Sequence, residues 1–375
     1  MILKNSTYFE LAENVIQNRK KIIVYGAGMI GKVIVPYLIA EYNLYDYLLC
    51  FIDGDIRKKG RTVSVGGREY GITTPDYLKN ADDECILLIT NSRFFPIINF
   101  LDSIPELDNI DGYIIPVMQI YELENARSII IERKKDKPAI PKKIHYCWFG
   151  RKELPDFLKK CICSWREMCP DYEIIEWNED NYDVNRHSFT QEAYERQRYG
   201  FVSDVARLDI LYENGGIYMD TDVMLNKNLD ELLYQDGFVG TEKWGNVNTG
   251  GGCGFTAGHP MLKELLQYRE QFHFVFDDGS LNTETNGVYE TIPFLQRGFS
   301  PNNILQTVGG VTIYPSYVNH PYDYMSCELH YREATVSVHY FYGGWMEEDE
   351  KLNRKKTQEK YKEIIYRIKN GGMPL

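Results

Sequence analysis

Apolar positions along this chain set out a repeating alternation of strands and helices. Tyr8, Leu11, Val15 and Ile16 fall on one helical face, which predicts a helix within residues 1–20. The run Lys21-Ile-Ile-Val-Tyr25 reads as a buried strand, and Gly26-Ala-Gly-Met-Ile-Gly31 leads from it into a helix through Leu38. Leu48 to Ile52 predicts a second strand ending at Asp53. Cys85-Ile-Leu-Leu-Ile-Thr90 predicts a third, after the acidic turn Asp82-Asp83-Glu84. Such alternation indicates a parallel sheet wrapped by helices, here a Rossmann-like domain over residues 1–123. Residues 124–143 turn charged and carry two prolines, which predicts a linker. Ile144-His-Tyr-Cys-Trp-Phe149 starts a second α/β domain over 144–345. A charged helix closes the chain over 346–375, opening on Glu347-Glu-Asp-Glu350 and ending at Gly371-Gly372, a C-cap signal.

Composition narrows the class. The chain has 375 residues, 43% hydrophobic, with a formal net charge of −12. That apolar content excludes a disordered chain, and the acidity argues against nucleic acid as the main partner. A count of 29 Tyr hints at sugars or nucleobases, whose flat faces suit aromatic clefts, though ordinary packing accounts for it equally well. The N-terminus has no signal-peptide pattern and no apolar stretch is long enough to span a bilayer. The eight cysteines match no common zinc spacing. A cytoplasmic protein with free thiols is therefore expected.

Two motifs carry chemistry. Gly26-x-Gly28-x-x-Gly31 lies between a strand and a helix, with Asp53 further on. Glycines there permit a tight turn near a diphosphate, and Asp53 could hold a ribose hydroxyl. The half lacks a Tyr-x-x-x-Lys pair, so NAD is not the expected cofactor, and the turn serves nucleotide binding or packing alone. The second motif is Asp220-Thr-Asp222. Ser203 is expected to cap a helix running to Asn214, with Gly215 ending it. Asp204 and Arg207 share one edge of that helix, and Ile217-Tyr-Met219 delivers the aspartates. Carboxylates two apart on extended chain point the same way and can share one hard cation, Mg²⁺ or Mn²⁺.

Ser203-Asp-Val-Ala-Arg-Leu208 with Leu211-Tyr-Glu-Asn-Gly-Gly-Ile-Tyr-Met-Asp-Thr-Asp-Val223 resembles the Asp-x-Asp region of glycosyltransferase family 32, of the capsular polysaccharide type. The likeness extends through Ile140–Gly150, Pro170–Trp177, Gly258-His-Pro260, His339 and Trp345. It implies a GT-A fold and transfer of a hexosyl group, with retention, from a nucleotide diphosphate sugar, UDP-linked by preference, to a saccharide or lipid-linked saccharide acceptor. It implies that Trp148 stacks on the donor base and that Asp204 and Arg207 meet the sugar or diphosphate. Asp222 would ligate the cation, with Asp220 bridging and His339 as third ligand, which favours Mn²⁺. Trp345 would cover the leaving phosphate, although Gly344 stands where the family has Ser. Asn248 with Gly250-Gly-Gly252 would frame the sugar or acceptor pocket, unless that glycine run is a plain mobile loop. Thr283–Val288 is a poor match to the family's turn.

Over 351–370, eight basic residues against Glu359 and Glu363 give +6. With Ile364, Ile365 and Ile368 this reads either as a peripheral anchor at the inner face of the cell membrane or as a solvated helix packed by its isoleucines. A nicotinamide-dependent epimerase centred on Gly26–Asp53 and a non-catalytic assembly scaffold stand as alternatives.

Overall fold

A computed structural model describes residues 1–92, 94–124, 128–344, 346 and 348–372. The chain divides into two units. The first comprises 1–126, 325–327 and 348–375, and the second 127–324 and 328–347.

In the first unit, strands β1 (Ile2–Leu3), β2 (Lys21–Tyr25), β3 (Leu48–Ile52), β4 (Thr62–Val65), β5 (Arg68–Thr73), β6 (Cys85–Ile89) and β7 (Asp111–Ile114) form one sheet in the order β1-β7-β6-β2-β3-β5-β4. All pairings are parallel except the β4–β5 hairpin. Buried parallel strands are apolar on both faces, and β6 is buried at every position. Helices α1 (Tyr8–Gln17), α2 (Val35–Glu41), α3 (Phe94–Leu101) and α4 (Ile115–Glu124) accompany these strands. Thr7 caps α1 in a reciprocal pair with Glu10.

The glycine turn sits between β2 and α2, as expected. Gly31 is needed for packing, because a Cβ there would overlap the carbonyl of Gly26. Gly28 faces open space. Asp53 lies at this turn and is already engaged with it. One of its oxygens accepts the Ala27 N–H and the Lys58 ammonium, both at 2.8 Å, and the other accepts the Asp55 N–H at 2.9 Å. Its carboxylate braces the turn.

In the second unit, β8 (Lys143–Cys147), β9 (Glu173–Trp177), β10 (Gly216–Tyr218), β12 (Gly237–Thr241), β13 (Val247–Phe255), β14 (Gln306–Val308) and β15 (Val311–Tyr314) form a mixed sheet ordered β14-β15-β12-β13-β10-β8-β9. Two short pairs stand apart: β11 (Val223–Leu225) with β18 (Ser337–His339), and β16 (Tyr322–Asp323) with β17 (Glu328–Leu329). The helices are α5 (Asp156–Met168), α6 (Ser188–Glu195), α7 (Tyr199–Asn214), α8 (Pro260–Arg269), α9 (Asn286–Gln296) and α10 (Ser316–Asn319). Val202, Val205, Leu208 and Leu211 on α7 join Tyr218, Cys253 and Phe255 in one buried core.

Two expectations change. Residues 128–143 are no free linker: Lys134 N–H and Ala139 N–H donate to the carbonyls of Tyr234 and Leu233, and Arg133 pairs with Glu231 at 2.6 Å over the Tyr234 ring. The tail helix α11 (Glu348–Lys369) belongs to the first unit. Its Tyr361, Ile364 and Ile368 are buried, so the isoleucine edge proposed for a membrane is used in packing. Arg367 donates to both oxygens of Asp102 and to the carbonyls of Met1 and Gly372. No helix among the described residues is long and apolar enough to cross a membrane.

Removing one member of a buried charge pair strands the other, at a cost of about 3–5 kcal/mol. Asp102 is partly exposed, so Arg367→Ala should cost about 2–3 kcal/mol. Thermal unfolding should show a lower melting temperature, and limited proteolysis should cut α11 first. Unchanged melting would contradict this docking.

Candidate active site

Parallel pairing of β8 with β10 sets His145 opposite Tyr218, so Trp148 and Asp220 leave the same end of the sheet. Ligands of open α/β sheets gather at such carboxyl ends. Helix α7 feeds this end and terminates on Gly215, whose N–H donates to the Leu211 carbonyl. It starts at Tyr199, with its cap at Arg198, five residues earlier than expected. Ser203 is therefore inside the helix, its hydroxyl donating to the Tyr199 carbonyl, and caps nothing.

Arg207 is the hub. Its guanidinium is 4% exposed and stands 2.7 Å from Asp204 and 3.3 Å from Asp220. It also donates to the Ser203 carbonyl at 3.1 Å and lies 5.0 Å above the Tyr218 ring. The Tyr218 hydroxyl donates to Asp220 Oδ1, the oxygen that Arg207 also addresses. Asp220 N–H donates to the Gly250 carbonyl at 2.7 Å. A Cβ at Gly250 would overlap Asp220 Oδ2 and crowd Arg207 Nη1. The glycine run is thus part of strand β13, and not a mobile loop.

Asp222 is held from three directions. The β11–β18 ladder pairs Val223 with His339 and is extended by Tyr340 N–H donating to the Asp222 carbonyl. Tyr342 N–H donates to Asp222 Oδ2 at 2.7 Å, and His339 Nε2 stands 3.2 Å from Oδ1. Helix α5 backs this ladder, Trp165 Nε1 donating to the Val223 carbonyl at 2.7 Å. One ligand atom each from Asp220, Asp222 and His339 falls within 4.8 Å of the others. Two carboxylates and one imidazole at that spacing fit a divalent cation. Burial alone would push both groups of the Asp222–His339 pair toward neutrality. Their mutual attraction prevails and holds the Asp222 carboxyl below, and the His339 imidazole above, the ordinary value.

The remaining expected residues divide. Trp148 gives its indole N–H to the Lys152 carbonyl at 2.6 Å, which leaves its ring faces to stack. Asn248 is engaged within its own strand. Its Nδ2 donates to Glu242, and its Oδ1 accepts the N–H groups of Gly250 and Gly251, so the amide shapes the strand and keeps one N–H in reserve. Trp345 lies outside the described residues. Sequence reading missed Tyr218, Thr249, Glu290 and the Tyr342 N–H. Tyr218 was accessible from its place two before Asp220; the others have no local signature.

Residues 155–239 match the family described as "Glycosyltransferase sugar-binding region containing DXD motif". That segment is similar to a glycosyltransferase sugar-binding region. The chain is 32% identical over 144 residues to inositol phosphoceramide mannosyltransferase 3 of Schizosaccharomyces pombe, covering 36% of this chain and 39% of that protein. It is 27% identical over 187 residues to subversion of eukaryotic traffic protein A of Legionella pneumophila, covering 40% and 28%. The chain therefore spans two-fifths or less of these relatives. Among solved structures, PaToxG glycosyltransferase aligns over 44% of this chain and 71% of its own, at 18% identity and a TM-score of 0.34, too loose a likeness for structural argument. Three curated mannosyltransferases fall among the relatives.

Two outcomes follow from this geometry. Gly250→Ala should leave the fold intact and abolish catalysis, because the added methyl displaces Asp220 or Arg207; donor turnover beside circular dichroism checks it, and full turnover would contradict it. Burial also pushes the Glu290 carboxyl up to about 7, with Arg207 and the Thr249 hydrogen bonds pulling back. The unfolded chain releases this proton near 4.5, so Glu290 contributes most below that pH and loses its contribution as pH rises through 7. Between pH 5 and 8 wild type should lose about 2–3 kcal/mol of stability relative to Glu290→Gln. Parallel melting curves would exclude it.

Proposed function

We propose that the second unit is a metal-dependent, retaining hexosyltransferase of the GT-A type. It would take a nucleotide diphosphate sugar as donor and a saccharide or lipid-linked saccharide as acceptor, in surface polysaccharide synthesis. The observation that carries this reading is the cluster Asp220–Asp222–His339 beside the buried Arg207. Those three residues would hold the cation, and the imidazole favours Mn²⁺ over Mg²⁺. A bound cation supplies charge neutralisation for the departing diphosphate. Asp204 uses one oxygen on Arg207, and the other meets no hydrogen-bond donor among the described residues, which suits a sugar hydroxyl. Arg207, held on two carboxylates, keeps its charge fixed toward the diphosphate with little reorganisation. The faces of Trp148 suit a nucleobase. A front-face departure in which the leaving phosphate takes the acceptor proton needs no protein nucleophile.

The donor is UDP-linked in our reading. GDP-mannose is the second candidate, favoured by the mannosyltransferases among the relatives. A nicotinamide role for Gly26–Asp53 finds no support in a carboxylate already committed to Ala27 and Lys58. We place the protein in the cytoplasm, at the inner membrane face when its acceptor is lipid-linked. Because α11 has buried its isoleucines, that contact would rest on exposed lysines and would be released by salt.

Release of nucleoside diphosphate from UDP-glucose, UDP-galactose and GDP-mannose, each with Mn²⁺, Mg²⁺ or chelator, tests the reading. One donor should turn over only with metal, and Asp222→Asn should lower the rate by about 100-fold or more. Turnover of none of them, or full activity of Asp222→Asn, would sink the assignment.

A further inference from the structure

A buried carboxyl outside the proposed chemistry reaches the donor site through one intermediary. Glu290 on α9 is 1% exposed. Its Oε2 accepts the Thr249 N–H at 2.8 Å, and its Oε1 accepts the Thr249 hydroxyl and Asn286 Nδ2. Both donors of Thr249 are therefore spent on one carboxyl.

The position of Thr249 gives this meaning. It directly precedes Gly250, whose carbonyl accepts the Asp220 N–H and whose bare Cα leaves room for Asp220 Oδ2 and Arg207 Nη1. Its Oγ1 also accepts from Arg207 Nη1 at 3.4 Å. A hydroxyl has one proton to give. With that proton on Glu290, the lone pairs of Oγ1 turn toward Arg207. The order of donation runs from Arg207 to Thr249 to Glu290. Without Glu290 the hydroxyl could rotate its proton toward the guanidinium, replacing an attraction with a repulsion. The other charged groups acting here are Asp204 and Arg269, whose guanidinium lies between the Phe189 and Tyr289 rings at 4.0 and 3.8 Å.

We propose that Glu290 is a positioning residue of the donor site, fixing Arg207 and the Gly250 edge of β13 through Thr249. The inference rests on the transferase reading of that site. A purely structural acid would lower stability and leave the turnover of folded enzyme intact. A positioning acid lowers kcat in folded protein, because small misplacements of a charged group cost about 10–100-fold.

The test uses the full chain with its preferred donor and metal, comparing Glu290→Ala, Glu290→Gln, Thr249→Val and Glu290→Ala/Thr249→Val. Circular dichroism confirms folding at the assay temperature. We expect Glu290→Ala to lose about 30-fold in kcat with donor KM changed less than about threefold. Glu290→Gln, whose single carbonyl oxygen can still accept the Thr249 hydroxyl while its NH2 faces the Thr249 N–H, should recover part of the loss. The double variant should be no worse than Glu290→Ala alone, since both act along one path. Unchanged kcat in folded Glu290→Ala, no recovery with Gln, or losses that multiply would each overturn the proposal. An inactive wild type would instead overturn the transferase reading. A readout independent of turnover covers that case and a misfolded alanine variant: solvent exchange of the Arg207 Nε–H, followed by nitrogen-15 NMR in wild type and Glu290→Gln/Thr249→Val. Faster exchange in that variant supports the path through Thr249, and equal exchange refutes it.

Discussion

The guanidinium of Arg207 is the element on which the second unit's functional end depends. A cation 4% exposed survives only if its lost hydration is replaced by opposite charge and acceptors. The replacements come from three separate elements. Asp204 and the Ser203 carbonyl lie on its own helix. Asp220 follows the strand β10, and Thr249 belongs to β13. Satisfying one charge therefore fixes a helix and two strands against one another. It also accounts for neighbours with no chemical duty. Tyr218 must be aromatic and hydroxylated, since its ring lies beneath the cation and its hydroxyl reaches Asp220. Gly250 must lack a side chain because the two charged groups occupy that space.

A second device completes the cluster. Two three-residue strands, β11 and β18, bring together residues 117 positions apart in sequence, Asp222 and His339. Strands this short have little stability alone, so their register must come from outside. Helix α5 supplies it, with the Trp165 indole on the Val223 carbonyl and the Ser164 hydroxyl accepting the Leu225 N–H. The matched segment 155–239 begins at α5 and contains both Asp204–Arg207 and the Asp-x-Asp pair. Its unity is physical: the helix that braces one carboxylate and the helix that carries the arginine flank the same strand end.

What the sequence makes legible follows from where the determining forces act. Cys85–Ile89 was readable because a buried parallel strand is apolar on both faces, which leaves an unbroken run. The block 203–223 was readable because charge, cap and strand lie within one window. Ser203 misled, since a capping side chain resembles one that bonds back to the preceding turn, and tertiary packing of Phe201 and Val202 extended α7 to Tyr199. The isoleucines of α11 were visible as an apolar edge, but the helix docks through contacts such as Tyr361 on Phe94 of α3, 267 positions earlier in the chain. Glu290 carried no signal at all, because its role exists only where α9 crosses β13.

The chain contains the same dipeptide spacing twice, and the contrast between the two copies isolates what turns it into a site. Asp53-Gly-Asp55 is followed by Arg57 and Lys58. Arg57 takes both oxygens of Asp55, and Lys58 joins Ala27 on Asp53. Local cations neutralise that pair before any ligand arrives. Asp220-Thr-Asp222 has a cation too, but it is anchored elsewhere. Arg207 and the Tyr218 hydroxyl both address Oδ1 of Asp220, and one carboxylate oxygen of Asp220 lies within 4.8 Å of ligand atoms of Asp222 and His339. Asp222 is oriented by a neutral backbone N–H and an imidazole, a partner that can itself ligate a metal. The two copies thus share their spacing and differ in what faces each carboxylate: basic side chains from the next few residues in one, an arginine from a separate helix and a metal-competent imidazole in the other. Two carboxylates and an imidazole, held rigid at the carboxyl end of a sheet, are what the proposed divalent cation would need.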